Sequence, residues 1–351
     1  MYFTGKHVLV TGGAGLIGHE AVAQLLDRGA YVRATVFRER RLAIQHPRLE
    51  IVPCDLMRPE DCAAVVRDME VVLHAAAYIR GVKGQQASHS DLVMRNLIPA
   101  VQMIDASCRA GVERFGWIGS STVYPDADHP LSEEEAFFSD PLDHYFGIGW
   151  VKRYGEKLCL SYQRTFRTKF ALVRSGAIYG PHERFTLEDG HVLPALIVKA
   201  VNRLDPFPVW GDGSDVRDFV YVSDFVEGLL RTVERHAVAD PVNIATGVGS
   251  SINDALRIIL DYEGYHPGIV YQQEQASVKH ARRLDVRKAK RLLQFEARTS
   301  LEAGLRKTID WYKSTLANQT HGVPARHPAI EPRHQPATAT GSSVPVTETR
   351  P

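Results

Sequence analysis

The sequence predicts an α/β fold built on a doubly wound parallel sheet, and three observations indicate it. Short runs rich in β-branched residues alternate with helical stretches along the first half of the chain. The first such run, "KHVLVTG", is followed at once by a glycine-rich turn and the helical stretch "LIGHEAVAQLLDRG". After Tyr179 the alternation weakens into loops and helices. We therefore expect a Rossmann-type sheet with a smaller, mostly C-terminal substrate lobe.

The predicted strands follow one another with helices between several of them. After the first strand come the strands "AYVRATVF", "LEIVPCDL", "EVVLHAAA", "RFGWIGSS" and "KFALVRSG", and the helices include "EDCAAVVRDM" and "NLIPAVQMIDASCRAG". We expect a dinucleotide-binding domain from residues 1–180 plus 218–245 and a substrate lobe from 181–217 plus 246–317. Residues 318–351 are rich in Pro, Thr, Ala, Ser and His and poor in large apolar groups, which predicts a disordered tail.

The composition excludes several classes of protein. The 351 residues are 44% hydrophobic and 24% charged, with a formal net charge of +1, as in a globular protein with a sizeable core. This balance offers no basic surface to nucleic acid or to an anionic membrane. The four cysteines form no CxxC pair, and no apolar run approaches the roughly 20 residues that cross a bilayer. We expect a cytoplasmic protein with no membrane partner and no metal site.

The stretch "VLVTGGAGLIGHEA" carries a glycine pattern at the junction of a strand and a helix. Glycines at these positions allow a tight turn, close approach of a pyrophosphate to the backbone, and close packing of helix on strand. The N-terminus of the helix adds N–H donors and a partial positive charge. The sequence therefore predicts a dinucleotide site at Gly12, Gly13, Gly15, Leu16, Ile17 and Gly18.

The end of the second strand distinguishes the two nicotinamide cofactors. An acidic residue there would hold the ribose 2′-OH of NAD, whereas an arginine suits the 2′-phosphate of NADP. The strand ends in Val36-Phe37-Arg38, with Arg40 and Arg41 close behind. This favours NADP, and NAD stays possible because Glu39 lies in the same turn.

Several further motifs occur in a fixed order, and together they resemble the extended short-chain dehydrogenase/reductases of the NAD-dependent epimerase/dehydratase family, which act on nucleotide sugars. The likeness covers most of residues 5–317. It rests on "TGGAGLIG", "CDL" (54–56), "HAAA" (74–77), Asn96, "GSSTVYP" (119–125), "VKRYGEKL" (151–158), "YGPHERF" (179–185), "GHVLPALI" (190–197), "WGDGSDVRDFVYVSD" (210–224) and "RRLDV" (282–286).

The resemblance implies roles for individual residues. Ser120 matches the hydroxyl that hydrogen-bonds the reacting sugar oxygen. Lys152 matches the lysine that holds the nicotinamide ribose and, as a cation, lowers the pKa of the catalytic tyrosine. Further cofactor contacts are implied for Asp55, Leu56, Ala75, Ala76 and Ala77.

The catalytic tyrosine itself is missing. The family places it four residues before the lysine, where this chain has Ile148, and isoleucine exchanges no proton. Three interpretations stay open. Tyr145 could be brought closer to Lys152 by a kink at Gly147 and Gly149. His191, or a water held by Ser120 and Ser121, could serve as the acid. Alternatively, hydride chemistry is much reduced. A packed aromatic side chain is the plainer role for Tyr145.

The substrate end is also implied by the resemblance. Thr122 stands where related double epimerases have a cysteine, and His191 matches their histidine, the side chain that titrates nearest neutral pH. Arg217 and Arg282 match arginines that contact the diphosphate. The implied substrate residues are Ser121, Thr122, His191, Lys199, Trp210, Arg217 and Arg282.

The predicted function is an NADP(H)-dependent reductase, epimerase or dehydratase that moves hydride at a carbon of a nucleotide-linked sugar. The alternative is a weakly active or inactive dinucleotide-binding protein of the same fold, acting as a sensor or partner subunit. Ile148 favours this alternative, whereas Ser120, Lys152 and the diphosphate arginines favour the enzyme. The resemblance also implies a homodimer formed through a helix bundle.

Overall fold

The central feature of the computed structural model is a parallel sheet of seven strands. Their order is β11-β6-β5-β4-β1-β2-β3, and every neighbouring pair runs parallel. The structure describes residues 2–38, 41–79, 89–187, 190–273 and 281–320. Strand order reverses direction between β1 and β4, which is where sheets of this kind bind ligands.

The elements of this sheet and its covering helices follow the chain in order. The strands are β1 (His7–Thr11), β2 (Tyr31–Val36), β3 (Leu49–Pro53), β4 (Val71–His74), β5 (Arg114–Ser120), β6 (Lys169–Ser175) and β11 (Pro241–Ile244). The helices are α1 (Leu16–Asp27), α2 (Pro59–Val65), α3 (His89–Arg109), α4 (Phe146–Thr165) and α6 (Val222–Arg235).

Two hydrophobic cores lie on opposite faces of the sheet because side chains alternate along each strand. Val8 and Val10 of β1 face a core shared with α1 and α6. Leu9, between them, faces the other core, with Met103 of α3 and Cys159 of α4. Helices therefore cover both faces, which explains why apolar residues predominate in the strands.

Smaller elements follow the sixth strand. They are β7 (Ala177–Tyr179), α5 (Val192–Val201), β8 (Phe207–Trp210), β9 (Val216–Arg217), β10 (Phe219–Tyr221), β12 (Ser250–Ser251), α7 (Ile252–Glu263), β13 (Ile269–Gln272), β14 (Ala281–Arg282), α8 (Arg287–Leu293) and α9 (Leu301–Thr320). They form the sheets β10-β7, β12-β9-β14 and β13-β8. Residues of α5, α7 and β8 share a third core.

A buried ion pair holds α4 to the sheet. The Nε and Nη2 atoms of Arg174 on β6 donate to the two carboxylate oxygens of Glu156 at 2.8 and 2.7 Å. Their side chains are only 1% and 4% exposed. Arg174 Nη1 also donates to the Tyr124 hydroxyl and to the carbonyl of Glu133. Two predicted parts of the fold, strand β6 and the helix that carries Lys152, are thus joined side by side.

Some details differ from the sequence prediction. Within residues 218–245 only β11 joins the main sheet, because β10 pairs with β7 instead. Helix α9 extends through Thr320, so residues 318–320 are helical and not part of a tail. The predicted disorder of 321–351 lies outside the described residues. Residues 1–313 form one compact unit, and the boundaries of the two lobes within it stay predictions. Among the described helices, none combines the length and the apolar character needed to cross a membrane.

Candidate active site

The glycine-rich turn lies at the carboxyl ends of β1, β2 and β4. Gly12 has φ +69°, and a Cβ atom there would lie 2.8 Å from the Cα atom of Ala76, so only glycine fits. The N–H groups of Gly12 and Gly13 donate to the side chain and carbonyl of Thr35 at 3.1 and 2.8 Å. No side-chain hydrogen bond from the described residues caps α1 at Gly15, which leaves N–H donors for an anion.

Thr11 joins this turn to the end of β4. Its hydroxyl accepts the N–H of Ala76 at 3.0 Å and lies 3.1 Å from Nδ1 of His74. Burial lowers the pKa of His74 to about 3, and the nearby charge of Lys152 acts in the same direction. The imidazole is therefore neutral. The predicted cofactor residues Ala75 and Ala76 are partly buried at this edge, and Ala77 is exposed.

The end of β2 presents Arg38 to solvent. Its guanidinium carbon lies 4.8 Å from the ring centroid of Phe37, and both side chains are exposed. The predicted Asp55 follows β3, where its carboxylate accepts the N–H of Met57 at 3.0 Å, and Leu56 beside it is buried. Glu39 and Arg40 lie outside the described residues.

Lys152 lies on α4 against the end of β5. Its ammonium donates to the carbonyl of Ile118 at 2.9 Å and lies 5.0 Å from the Trp117 ring centroid. Burial lowers the pKa of Lys152 to about 8, and Glu156 opposes this shift. Ser120 is two residues beyond Ile118 on the same strand, at its carboxyl end. The predicted pair Ser120 and Lys152 is thus placed at one end of one strand.

The turn after β5 carries the two other predicted hydroxyl groups. Ser121 and Thr122 belong to a short 3-10 helix, Ser121–Val123, and Ser120 Oγ accepts the N–H of Thr122 at 3.3 Å. Arg153 of α4 holds the turn by donating to the Val123 carbonyl at 2.9 Å. The Thr122 hydroxyl is buried and has no hydrogen-bond partner among the described residues.

Tyr145 lies outside the helix that carries Lys152. Helix α4 begins at Phe146, and Tyr145 ends a separate 3-10 turn, Asp143–Tyr145. Its ring centroid lies 4.8 Å from the guanidinium carbon of Arg282. Ile148 is partly buried in the first turn of α4. Tyr145 therefore packs against a predicted diphosphate arginine, and its role as a proton donor stays a prediction.

Arg217 and Arg282 lie side by side. They are paired in register on the parallel strands β9 and β14, so their side chains leave the sheet on one face. Arg282 is 8% exposed, and its Nη2 atom has no hydrogen-bond partner among the described residues. Burial lowers the pKa of Arg282 to about 10, and the charge of Arg217 adds to the effect. Arg217 lies 3.6 Å from the Asp215 carboxylate.

The buried carboxylate of Asp218 fixes these strands. It accepts the hydroxyl of Thr246 at 2.6 Å, the N–H of Gly247 at 2.9 Å and the N–H of Leu284 at 3.3 Å. Leu284 follows β14, so one side chain joins both arginine strands. Asp218 was not singled out in the sequence, although it lies inside the "SDVRDF" motif next to Arg217.

His191 pairs with a carboxylate that the sequence analysis missed. Its Nδ1 atom lies 2.5 Å from Oε1 of Glu183. Burial acts to lower the pKa of His191, but the bond and charge of Glu183 outweigh it and leave the pKa raised. His191 is the N-cap residue of α5. Glu183 is the glutamate of the motif "YGPHERF". No helical or strand pattern connects it to His191 along the sequence, so the sequence pattern did not reveal the pair.

The neighbour of Glu183 reaches the cofactor helix. The rings of His182 and His19 stack with centroids 3.4 Å apart, and His182 also lies 4.8 Å from Trp311. His19 is in the first turn of α1. The loop that supplies Glu183 is therefore in contact with the helix that begins at the glycine-rich turn.

Two predicted substrate residues have structural contacts. The Lys199 ammonium donates to the Pro208 carbonyl at 2.7 Å, which ties α5 to β8, and burial lowers its pKa. Trp210 ends β8 and is partly buried. Their contact with a substrate stays a prediction.

Comparison with known proteins places this geometry in a family. The model of the NAD dependent epimerase/dehydratase family matches residues 8–245, more than half of the chain. The chain belongs to this family. It is therefore an enzyme of the epimerase/dehydratase class, and the predicted Rossmann-type sheet is confirmed.

Individual members of the family are similar over most of their length. GDP-L-fucose synthase of Sinorhizobium fredii (strain NBRC 101917 / NGR234) is 28% identical over 325 residues, covering 90% of this chain and 98% of that protein. The crystal structure of UDP-glucose 4-epimerase from Thermotoga maritima with UDP-glucose has a TM-score of 0.80 at 25% identity, covering 88% and 99%. MoeE5 in complex with UDP-glucuronic acid and NAD has a TM-score of 0.77 at 30% identity, with the same coverage.

Proposed function

We propose that this chain is an NADP(H)-dependent enzyme that transfers hydride at a carbon of a nucleotide-linked sugar. The observation that carries the proposal is the pair Arg217 and Arg282, held in register by Asp218. Two adjacent guanidinium groups repel each other, and the buried Arg282 has an unused Nη2 donor in the described part of the chain. A diphosphate would add negative charge beside both arginines and would supply acceptor oxygens for Arg282.

The other end of the site fits a nicotinamide dinucleotide. A glycine turn that excludes a Cβ atom at position 12, with an uncapped helix start behind it, suits a pyrophosphate. Exposed Arg38 at the end of β2 supports a 2′-phosphate and therefore NADP. The cofactor would supply or accept the hydride, while Lys152 and residues 75–77 would hold its nicotinamide half.

Between these ends lie the groups that would handle a sugar. Ser120 ends β5, and Thr122, whose hydroxyl has no hydrogen-bond partner in the described part of the chain, follows it in the next turn, on the strand against which Lys152 lies. Thr122 and Ser121 would bind hydroxyl groups of the substrate. Because Ile148 has no proton to give, His191 is the proposed acid, and its raised pKa keeps it protonated closer to neutral pH. The related structures are complexes with UDP-glucose and with UDP-glucuronic acid, which supports the substrate class.

A homodimer through α3 and α4 belongs to the same proposal. These helices pack together, and four large apolar residues on them are 40–51% exposed, which suits a protein interface. They are Met94, Phe146, Trp150 and Tyr154.

Purified protein incubated with NADPH and a panel of nucleotide-linked keto-sugars tests the function. We expect loss of the absorbance of reduced nicotinamide, and NMR should show a reduced sugar as product. NADPH should bind at least about tenfold more tightly than NADH, and Arg38→Asp should remove that preference, since about 1.4 kcal/mol corresponds to a factor of ten.

Arg167→Asp is the control, because Arg167 is also exposed but follows α4 and not β2. It should leave the preference for NADPH in place. Equal affinities for both cofactors in the unmodified protein would refute the 2′-phosphate argument. Absence of turnover with every nucleotide sugar, together with tight cofactor binding, would favour the inactive binding protein instead.

A further inference from the structure

We propose that Glu183 is the positioning residue of His191: it holds the proton on Nδ1 and so leaves Nε2 as the atom that exchanges a proton with the substrate. The inference rests on the proposed function, since it concerns the acid of that reaction. It explains how a chain with isoleucine at position 148 still presents a defined proton donor.

The two side chains differ in accessibility in the way such a pair requires. The Glu183 side chain is 6% exposed, whereas the His191 side chain is 45% exposed, and their atoms approach to 2.5 Å. A buried carboxylate is fixed in place, and an accessible imidazole can meet a ligand. Because the carboxylate only accepts, Nδ1 must carry the proton that bridges the two groups. The second ring nitrogen then faces away from Glu183.

Among the described residues, the Glu183 carboxylate bonds to His191 alone. Its second oxygen, Oε2, is buried and has no hydrogen-bond partner among the described residues. The surface pair His129 and Glu135 is the contrasting case. There the atoms approach to 2.6 Å, but Oε2 of Glu135 accepts both the N–H and the hydroxyl of Ser132 in a helix cap. Glu135 therefore serves the helix cap as well as His129, whereas His191 is the one hydrogen-bond partner of the Glu183 carboxylate among the described residues.

Both residues are anchored by their neighbours along the chain. His182 stacks on His19 of α1, which fixes the residue before Glu183 next to the cofactor helix. The carbonyl of His191 accepts the N–H of Ala195 at 3.1 Å, which fixes it at the start of α5. The positive end of α5 disfavours an imidazolium there, and Glu183 supplies the opposing charge. The charged group that raises the pKa of His191 is Glu183.

The step that this arrangement supports is a simple proton transfer. The Nε2–H bond breaks, an O–H bond forms on the substrate oxygen, and a neutral imidazole remains with its Nδ1–H still bonded to Glu183. In the reverse direction Nε2 accepts the proton. Without Glu183 the neutral ring could carry its proton on either nitrogen, so a fraction of the enzyme would present the wrong atom.

NMR of the full chain with isotope-labelled histidine tests the pairing without any substrate. The His191 signal is assigned by its loss in His191→Asn. In the unmodified protein the neutral ring should carry its proton on Nδ1, with a pKa above about 6.5. In Glu183→Gln the pKa should fall by about one unit or more and the tautomer preference should weaken. Glu183→Asp should retain part of both effects, and it replaces Glu183→Gln if that variant melts early.

Kinetics then tests the consequence for catalysis. Glu183→Gln should lower kcat at least about tenfold with little change in KM, because positioning acts on the transition state. Glu135→Gln is the control: it should shift the His129 signal and leave His191 and kcat unchanged. An unmoved His191 pKa in Glu183→Gln overturns the pairing. A shifted pKa with unchanged kcat overturns the catalytic role. An unmodified enzyme that is inactive on every sugar overturns the proposed function and this role, while the NMR result still decides the pairing.

Discussion

The glycine-rich turn and the loop that carries Glu183 build their parts of the site in opposite ways. The turn uses backbone N–H groups of consecutive residues, positioned because Gly12 has no Cβ atom. The loop uses side chains from separate segments: His182 meets His19 of α1, and Glu183 meets His191 of α5. A site built from backbone groups is encoded by residues that are adjacent in the sequence, and it tolerates few substitutions. A site built from side chains can take its acid from another segment, as we propose for His191 in a chain that has isoleucine at position 148.

The largest expected effect concerns the buried ion pair between Arg174 and Glu156, which holds α4 against the sheet. Arg174→Met would leave the Glu156 carboxylate buried without its partner, which typically costs about 3–5 kcal/mol. We expect the free energy of unfolding, measured in denaturant, to fall by that amount. Cofactor affinity should fall less, since the glycine turn does not depend on Arg174.

The double variant Glu156→Leu, Arg174→Met provides the control. It removes both charges and fills the space with apolar groups, so it should recover most of the lost stability. A single variant as stable as the unmodified protein would mean that water reaches Glu156, contrary to its 4% exposure.

The second-largest effect is expected when the family's usual catalytic acid, a tyrosine, is restored at position 148 of α4. Ile148→Tyr places a phenol one turn before Lys152, whose cation favours the phenolate. General acid catalysis contributes about 10²–10⁴-fold, so we expect a gain of roughly tenfold or more in kcat even from partial recovery. The measurement is the turnover of NADPH with the best nucleotide sugar.

Ile148→Phe carries the same ring without the hydroxyl and should give no gain. Tyr145→Phe should change kcat less than about twofold, because the Tyr145 ring packs against Arg282 and Phe keeps that ring. A steep loss in Tyr145→Phe would make Tyr145 the displaced donor and would shift the acid from the loop back to the start of α4.

The sequence predicted the parallel sheet, and physical reasons separate that part of the fold from the rest. β-branched runs encode buried parallel strands directly, and glycines reveal a turn because few other residues fit it. The start of α3 was placed too late, since Asp91 and its ion pair with Arg95 extend the helix back to His89. The pairing of β10 with β7 and of Glu183 with His191 depends on contacts between distant segments. The periodicity of residues within one helix or strand contains no information about such contacts.

The smallest expected effect is a pH dependence of stability at the stacked histidines. Burial and then the charge of His19 lower the pKa of His182 to about 4, well below its ordinary value of about 6.5. As pH falls below about 6.5, the unfolded chain binds a proton that the folded chain excludes, so this pair reduces stability between about pH 6.5 and about pH 4. His182→Phe keeps a ring against His19 and Trp311 but removes one titrating group.

Melting temperatures at neutral and acidic pH check this expectation, and the drop between them should be smaller in His182→Phe by a few degrees, about 2–4 °C. His129→Phe is the control, and it should change the drop in melting temperature in the opposite direction. The hydrogen bond to Glu135, followed by that to Asp128, raises the pKa of His129, so protonation of His129 adds stability in acid and its removal should enlarge the drop slightly. Equal drops in the unmodified protein and in His182→Phe would mean that the stack admits a proton without opening. The loop that carries His182 and Glu183 would then stay in contact with α1 in acid. Glu183 and His191 would stay paired over the whole pH range of the melting experiment.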